Sequence, residues 1–195
     1  MSRIQNSSLS EVGDVELFFP GDRFPVIAGP NLRSTGWRGG IFVEYVAGDS
    51  DFTVELSDGN ASAGFLLFQS EYYSKLQPGS FSVGSALLVG SPENYLSHQF
   101  LPKGGNNTIT MISGGTRAFF KAFETTALVG AGTRTGGPIT YTLNESLKIS
   151  ENGLLCNDSN ANLIAAGIAS PIVVGIVSAV PSTQNGGRLC IDLKY

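Results

Sequence analysis

Residues suited to chemistry are few and widely spaced in this chain of 195 residues. It holds one histidine, His98 in YLSHQF, and two cysteines, Cys156 and Cys190. A metal centre built from several imidazoles needs more than one histidine, and no spacing joins His98 to either cysteine. A Ser-His-Asp triad can gather its members from distant positions, but the Gly-x-Ser-x-Gly turn that presents such a serine is missing from the sequence. His98 therefore reads as a hydrogen-bonded loop residue, and the chain as a protein that is not an enzyme.

Two glycine-rich stretches invite a phosphate reading, and neither has the right order. Gly130-Ala131-Gly132-Thr133-Arg134-Thr135-Gly136 follows an apolar run, as a dinucleotide loop does. Its third glycine falls one place late, and Pro138 and a strand follow where a helix N-terminus would hold the pyrophosphate. It reads as a linker. In KGGNNT, Lys103 precedes its glycines, the reverse of a Walker loop. Asp49, Asp51, Glu55 and Asp58 crowd one hairpin with oxygen donors of the kind calcium takes, but without the alternating Asp spacing of a calcium loop. They read as a solvated acidic rim. Trp37, Tyr72 and Tyr73 have rings suited to stacking on a sugar, although buried strand-end aromatics are the commoner case. No metal and no cofactor are expected.

Charge narrows the partners. Twelve Lys and Arg against 16 Asp and Glu leave a net charge of -4, and no window gathers the basic residues that phosphate neutralisation requires, so nucleic acid is not expected as a partner. An anionic membrane surface is disfavoured for the same reason. The opening MSRIQNSSLSEVG lacks the apolar centre of a secretory signal, which points to synthesis in the cytoplasm and makes the sequons at Asn60, Asn144 and Asn157 incidental. Cys156 and Cys190 lie in apolar runs and read as buried free thiols, with a bridge between two strands of a small barrel as the other option.

The elements that must position these residues are strands. Runs at 15–19, 41–47, 52–56, 64–70, 86–89, 107–113, 117–123, 139–143, 147–150, 172–180 and 188–193 are short, β-branched or aromatic, and bounded by Gly, Pro, Asn or Asp. Asp58-Gly59, Asn152-Gly153 and Asn185-Gly186 mark reversals, and LKIS-ENG-LLC is the clearest hairpin. Only ENYLSHQFL and NANLIAAGIA have the pattern of short helices. The uncharged run 163–180 is as long as a membrane span, but Pro171 interrupts it. Pro171 and Pro181 then bracket IVVGIVSAV as a buried strand, in which Gly175 marks a bulge or close packing. The fold class is mostly β in two β-rich parts. Residues 1–12 form a mobile arm, 13–130 a sandwich or barrel, and 131–195 a small C-terminal barrel, with the Gly/Thr-rich 130–138 as boundary or long loop.

The C-terminal segments LKISENGLLC and IVVGIVSAVPSTQNGGRLCIDLKY, following Tyr141-Thr142-Leu143, resemble the C-terminal barrel of tailed-bacteriophage capsid decoration (cement) proteins. In those proteins a hairpin with a Gly turn leads to a polar loop, a Val-Gly-Ile/Val strand and a last strand ending in basic and aromatic residues. The upstream DFTVELSDGNASAGFLLFQSEYY is similar to strands of virion structural proteins. The resemblance implies a β-tulip or SH3-like barrel and a place on the capsid exterior. It also implies the major capsid protein as partner, and a homo-oligomer, trimer or dimer, that clamps neighbouring capsomers. An arm that adds a strand to a partner would serve such a role. Val15, Leu17, Phe18 and Phe19 are the candidate partner-binding residues, with an ordinary edge strand as the competing reading. The alternative function is a carbohydrate- or receptor-binding β-module of a virion fibre or tail.

Overall fold

A computed structural model of the chain describes residues 15–17, 22–35, 39–49, 52–66, 108–129 and 132–194. Eleven strands and two short helices run through them in the order β1 (Val15–Leu17), β2 (Asp22–Ala28), α1 (Pro30–Thr35), β3 (Phe42–Tyr45), β4 (Thr53–Leu56), β5 (Gly64–Leu66), β6 (Thr108–Ser113), β7 (Arg117–Phe120), β8 (Ser146–Ile149), β9 (Leu155–Cys156), α2 (Asn160–Ala165), β10 (Val173–Ala179) and β11 (Leu189–Leu193). The protein is mostly β and has two sheets.

One sheet is a closed barrel in the order β2-β4-β3-β5-β6, and the other is six-stranded, in the order β1-β7-β11-β10-β8-β9. The closed barrel thus comes from the part of the chain before residue 114. The C-terminal strands lie in a sheet curled into a half-barrel, and it is completed by β7 and β1 from the N-terminal side of the Gly/Thr-rich stretch. What the sequence could not display is the parallel pairing of β2 with β4, Ile27 opposite Thr53 and Ala28 opposite Val54. That pairing closes the first sheet on itself, and closure removes exposed edges.

Alternation along the barrel strands sorts side chains into two cores. Val26, Ala28, Val43, Val54, Leu66, Ile109 and Met111 fill the interior, with Leu32 of α1 and Ile41 against them. Their neighbours Phe42, Phe65 and Ile112 point outward into a second core, shared with Val15, Phe120, Leu147, Ile149, Val174, Val177 and Ile191 of the other sheet. Phe65 meets Phe120 edge-on with ring centroids 4.9 Å apart, and Phe42 stacks on Phe120 at 6.1 Å. Aromatic contacts of this type add to simple area burial, so the barrel wall and the curled sheet are fused through one apolar layer.

Turns and glycines follow from close approaches. The β8–β9 hairpin forms as its sequence suggests, with Gly153 at φ 68°. Phe42 N–H of the barrel donates to the Gly153 carbonyl at 2.8 Å, which joins this turn to β3. Gly175 sits in β10 between two register shifts, and a Cβ there would lie 2.6 Å from the Asp192 carbonyl oxygen. The bracketed apolar run is therefore a strand packed too closely to carry a side chain at that position. Among the described residues no helix is long and apolar enough to cross a membrane. NANLIAAGIA contributes α2, capped by Ser159 Oγ accepting from Asn162 N–H at 3.2 Å. Cys156 and Cys190 are both buried and unbridged.

Candidate functional site

The candidate partner-binding residues divide. β1 pairs antiparallel with β7, Val15 opposite Phe120 and Leu17 opposite Ala118. Val15 belongs to the shared core and Leu17 packs against it. Phe18 and Phe19 lie outside the described residues, as do residues 1–12, Trp37, Asp51, Tyr72, Tyr73, residues 86–89, His98 with its candidate helix, and Lys103 with its glycines. In the acidic hairpin Asp49 and Asp58 are exposed, while Glu55 turns to α1. Both Glu55 carboxylate oxygens are taken by the first turn of α1, accepting from Asn31 N–H at 3.0 Å and Leu32 N–H at 2.8 Å. Asp58 folds back on Asn60, accepting from its backbone and side-chain N–H groups at 2.9 Å each.

The feature that composition did not reveal is at one end of the barrel. β2 and β4 are parallel, and β3 is antiparallel to β4. β4 begins opposite Ile27, close to the end of β2, and Tyr45 at the end of β3 stands opposite Val54, so at this end of the barrel the three neighbouring strands are staggered and β2 extends past the start of β4. In each strand the row of interior residues continues one step past the buried core: from Val26 to Phe24, from Val54 to Phe52, and from Val43 to Tyr45. All three aromatic residues are exposed, Phe24 by 44%, Tyr45 by 47% and Phe52 by 65%, with Val46 exposed beside them in sequence. Tyr45 and Phe52 meet with centroids 6.3 Å apart at 67°.

Phe52 also has φ 57°, a left-handed conformation that is a true outlier for a bulky residue. Its backbone is held there from both sides. Ile27 N–H donates to the Phe52 carbonyl at 3.2 Å, and Val46 N–H donates to the Thr53 carbonyl at 2.9 Å. A large ring kept exposed on strained backbone has no folding rationale, and such outliers gather at functional positions.

A second constellation surrounds Arg134, within the stretch read as a linker. Residues 125–129 and 133–139 pair as the two limbs of a ribbon, with Ala127 N–H donating to the Gly137 carbonyl, Gly136 N–H to the Ala127 carbonyl and Ile139 N–H to the Thr125 carbonyl. The returning limb turns Arg134 inward toward three carboxylates: Glu124 at 3.0 Å, Glu151 at 2.8 Å and Asp158 at 2.9 Å. Arg134 Nη1 also donates to the Thr126 carbonyl. Burial opposes the guanidinium charge, but the hydrogen bonds to Glu151 and Asp158 and the charge of Glu124 outweigh it and raise its pKa.

Further donors reach two of these carboxylates. Glu124 Oε1 accepts from Ser150 Oγ at 2.7 Å and Asn152 Nδ2 at 3.0 Å. Asp158 Oδ1 accepts from Leu128 N–H at 2.9 Å. Tyr141 Oη donates to the Glu124 carbonyl at 2.6 Å. Beneath the ribbon Leu128, Cys156, Leu163 and Ile168 form a small separate core. With Arg134 bonded to carboxylates of three separate segments, the cluster fastens the ribbon to the body of the fold. Among the described residues no group of His, Cys, Asp and Glu could hold a metal ion.

No protein-family model matches the chain, and no curated protein matches it.

Proposed function

We propose that the protein is a non-enzymatic virion component that binds the outer surface of a phage capsid and stabilises contacts between capsomers, and that the aromatic rim Phe24–Tyr45–Phe52 is its docking face. The rim carries this reading. Three exposed rings would be costly to keep in water on a monomer with no partner, and aromatic residues are enriched where protein interfaces concentrate their binding energy. The barrel beneath them is closed and fused to the second sheet through Phe42, Phe65 and Phe120. A face mounted this way loses little conformational freedom on docking. The partner is then the major capsid protein, the site of action is the virion exterior after synthesis in the host cytoplasm, and the working form is a dimer or trimer. That assignment of partner draws on the resemblance of the C-terminal strands to decoration proteins.

The alternative, a carbohydrate-binding module of a fibre or tail, fits the ring geometry less well. Stacking on a sugar uses one flat platform, and Tyr45 and Phe52 stand at 67° to each other. Mixing the protein with purified shells and sedimenting them separates the two. A decoration protein binds to a saturating ratio and raises the melting temperature of the shell. Glycan binding without shell binding favours the module.

A further inference from the structure

Beyond the rings themselves, the surroundings of the rim define the chemistry of what it would accept. Residues 39–66 contain Glu44, Asp49, Asp51, Glu55 and Asp58 and not one Lys, Arg or His. Both strands that carry Tyr45 and Phe52, and the turn between them, lie within this stretch. Asp49 is exposed on that turn, where its N–H donates to the Val46 carbonyl at 3.2 Å. Tyr45 and Phe52, edge to face at 6.3 Å, form two walls of an open corner. The face of an aromatic ring is the negative end of its quadrupole and attracts cations. An acidic surround adds to that attraction, and charge complementarity of this kind selects partners as well as speeding encounter.

We infer that the Tyr45–Phe52 corner receives a Lys or Arg side chain of a basic protein segment. The inference rests on the docking role proposed for the rim, and it names the kind of surface that would meet it. The ammonium or guanidinium would lie over one ring face and beside the other, with the hairpin carboxylates as the diffuse counter-charge. The long apolar stem of either side chain would cover the rest of the ring surface.

The test uses the full chain and synthetic peptides of one scaffold sequence that carry lysine, serine or glutamate at the same positions. Binding is read by fluorescence anisotropy, for the wild type and for Tyr45→Leu and Phe52→Gly. Both variants alter exposed side chains, and thermal melting checks that each is folded. The lysine peptide is expected to bind best, and to weaken about threefold in each variant, the size of a cation–ring contact at an exposed site. Added salt should weaken it further. Equal binding of the three peptides, no binding of the lysine peptide, or lysine binding untouched by both variants would overturn the inference. The shell experiment is scored separately. Charge-selective peptide binding without shell binding would reject the capsid reading alone. Shell binding equal in wild type and both variants would reject the corner alone.

Discussion

Arg134 and Asp158 meet at 2.9 Å across 24 residues of chain, and this contact fixes a stretch whose composition suggests a free connector. The same Asp158 accepts the Leu128 N–H from the outgoing limb of the ribbon. One carboxylate therefore holds both limbs of the ribbon, 125–129 and 133–139, against the segment between β9 and α2.

Removing the cation should be severe. Arg134→Met leaves Glu124, Glu151 and Asp158 facing one another with Arg134's hydrogen bonds unmade. Breaking a buried pair by deleting one partner costs about 3–5 kcal/mol, and urea unfolding should show a loss in that range. Arg134→Lys should recover only part of it, because an ammonium lacks the fork that reaches several carboxylates at once.

Phe52→Gly should make the protein more stable. The left-handed φ of 57° costs a bulky L-residue about 1–2 kcal/mol that glycine does not incur. Loss of the Tyr45 contact offsets a fraction of this in an exposed ring. The melting temperature of Phe52→Gly should rise, while Phe52→Ala, which keeps the backbone conflict, should show no such rise. A gain in stability from deleting a large aromatic side chain is the signature of a residue retained for something other than folding.

At Gly175 the expectation is the reverse. A methyl group there would press on the Asp192 carbonyl oxygen of the neighbouring strand at 2.6 Å, and backbone cannot move aside as a side chain can. Gly175→Ala should cost about 1–3 kcal/mol, the range for overpacking, measured by chemical denaturation.

Alkaline pH should weaken the fold. Burial, above all, pushes the Cys156 thiol from 9.0 up to about 12, and burial also raises the Tyr141 hydroxyl. Between about pH 9 and 12 the unfolded chain releases the Cys156 proton and the folded chain keeps it. Unfolding is then favoured progressively as pH rises, and the stability is intact below pH 9. Melting temperature should fall across that window, and Cys156→Ala should flatten part of the slope. At pH 8 the folded protein should resist alkylation at Cys156, with roughly a thousandfold less thiolate than an unshifted cysteine.

Local signals made many strands readable, and tertiary ones hid the rim and the cluster. Pro171 and Pro181 delimit β10, and Asn152-Gly153 marks the β8–β9 turn, because proline and glycine act through their own backbone preferences. Of the two readings open for 13–130, sandwich or barrel, the structure has the closed barrel in β2–β6, while the C-terminal strands form a curled sheet; a parallel pairing between residues 26 apart leaves no local mark. Arg134 sits among glycines and threonines that read as loop, and its three carboxylates come from three different segments. Phe24, Tyr45 and Phe52 each continue an interior row of alternating residues. Whether such a row ends inside the core or in solvent depends on the stagger of the strands around the barrel, which no single strand encodes.

The central claim is that the protein docks through the Phe24–Tyr45–Phe52 rim, and oxidative footprinting of the protein free and bound to purified shells addresses it directly. Labelling of Tyr45 and Phe52 should drop strongly in the bound state, while exposed Leu143 at the turn before β8 remains as reactive as in the free protein. Bound protein in which the two rings label as fast as in solution, with protection on another face, would contradict it.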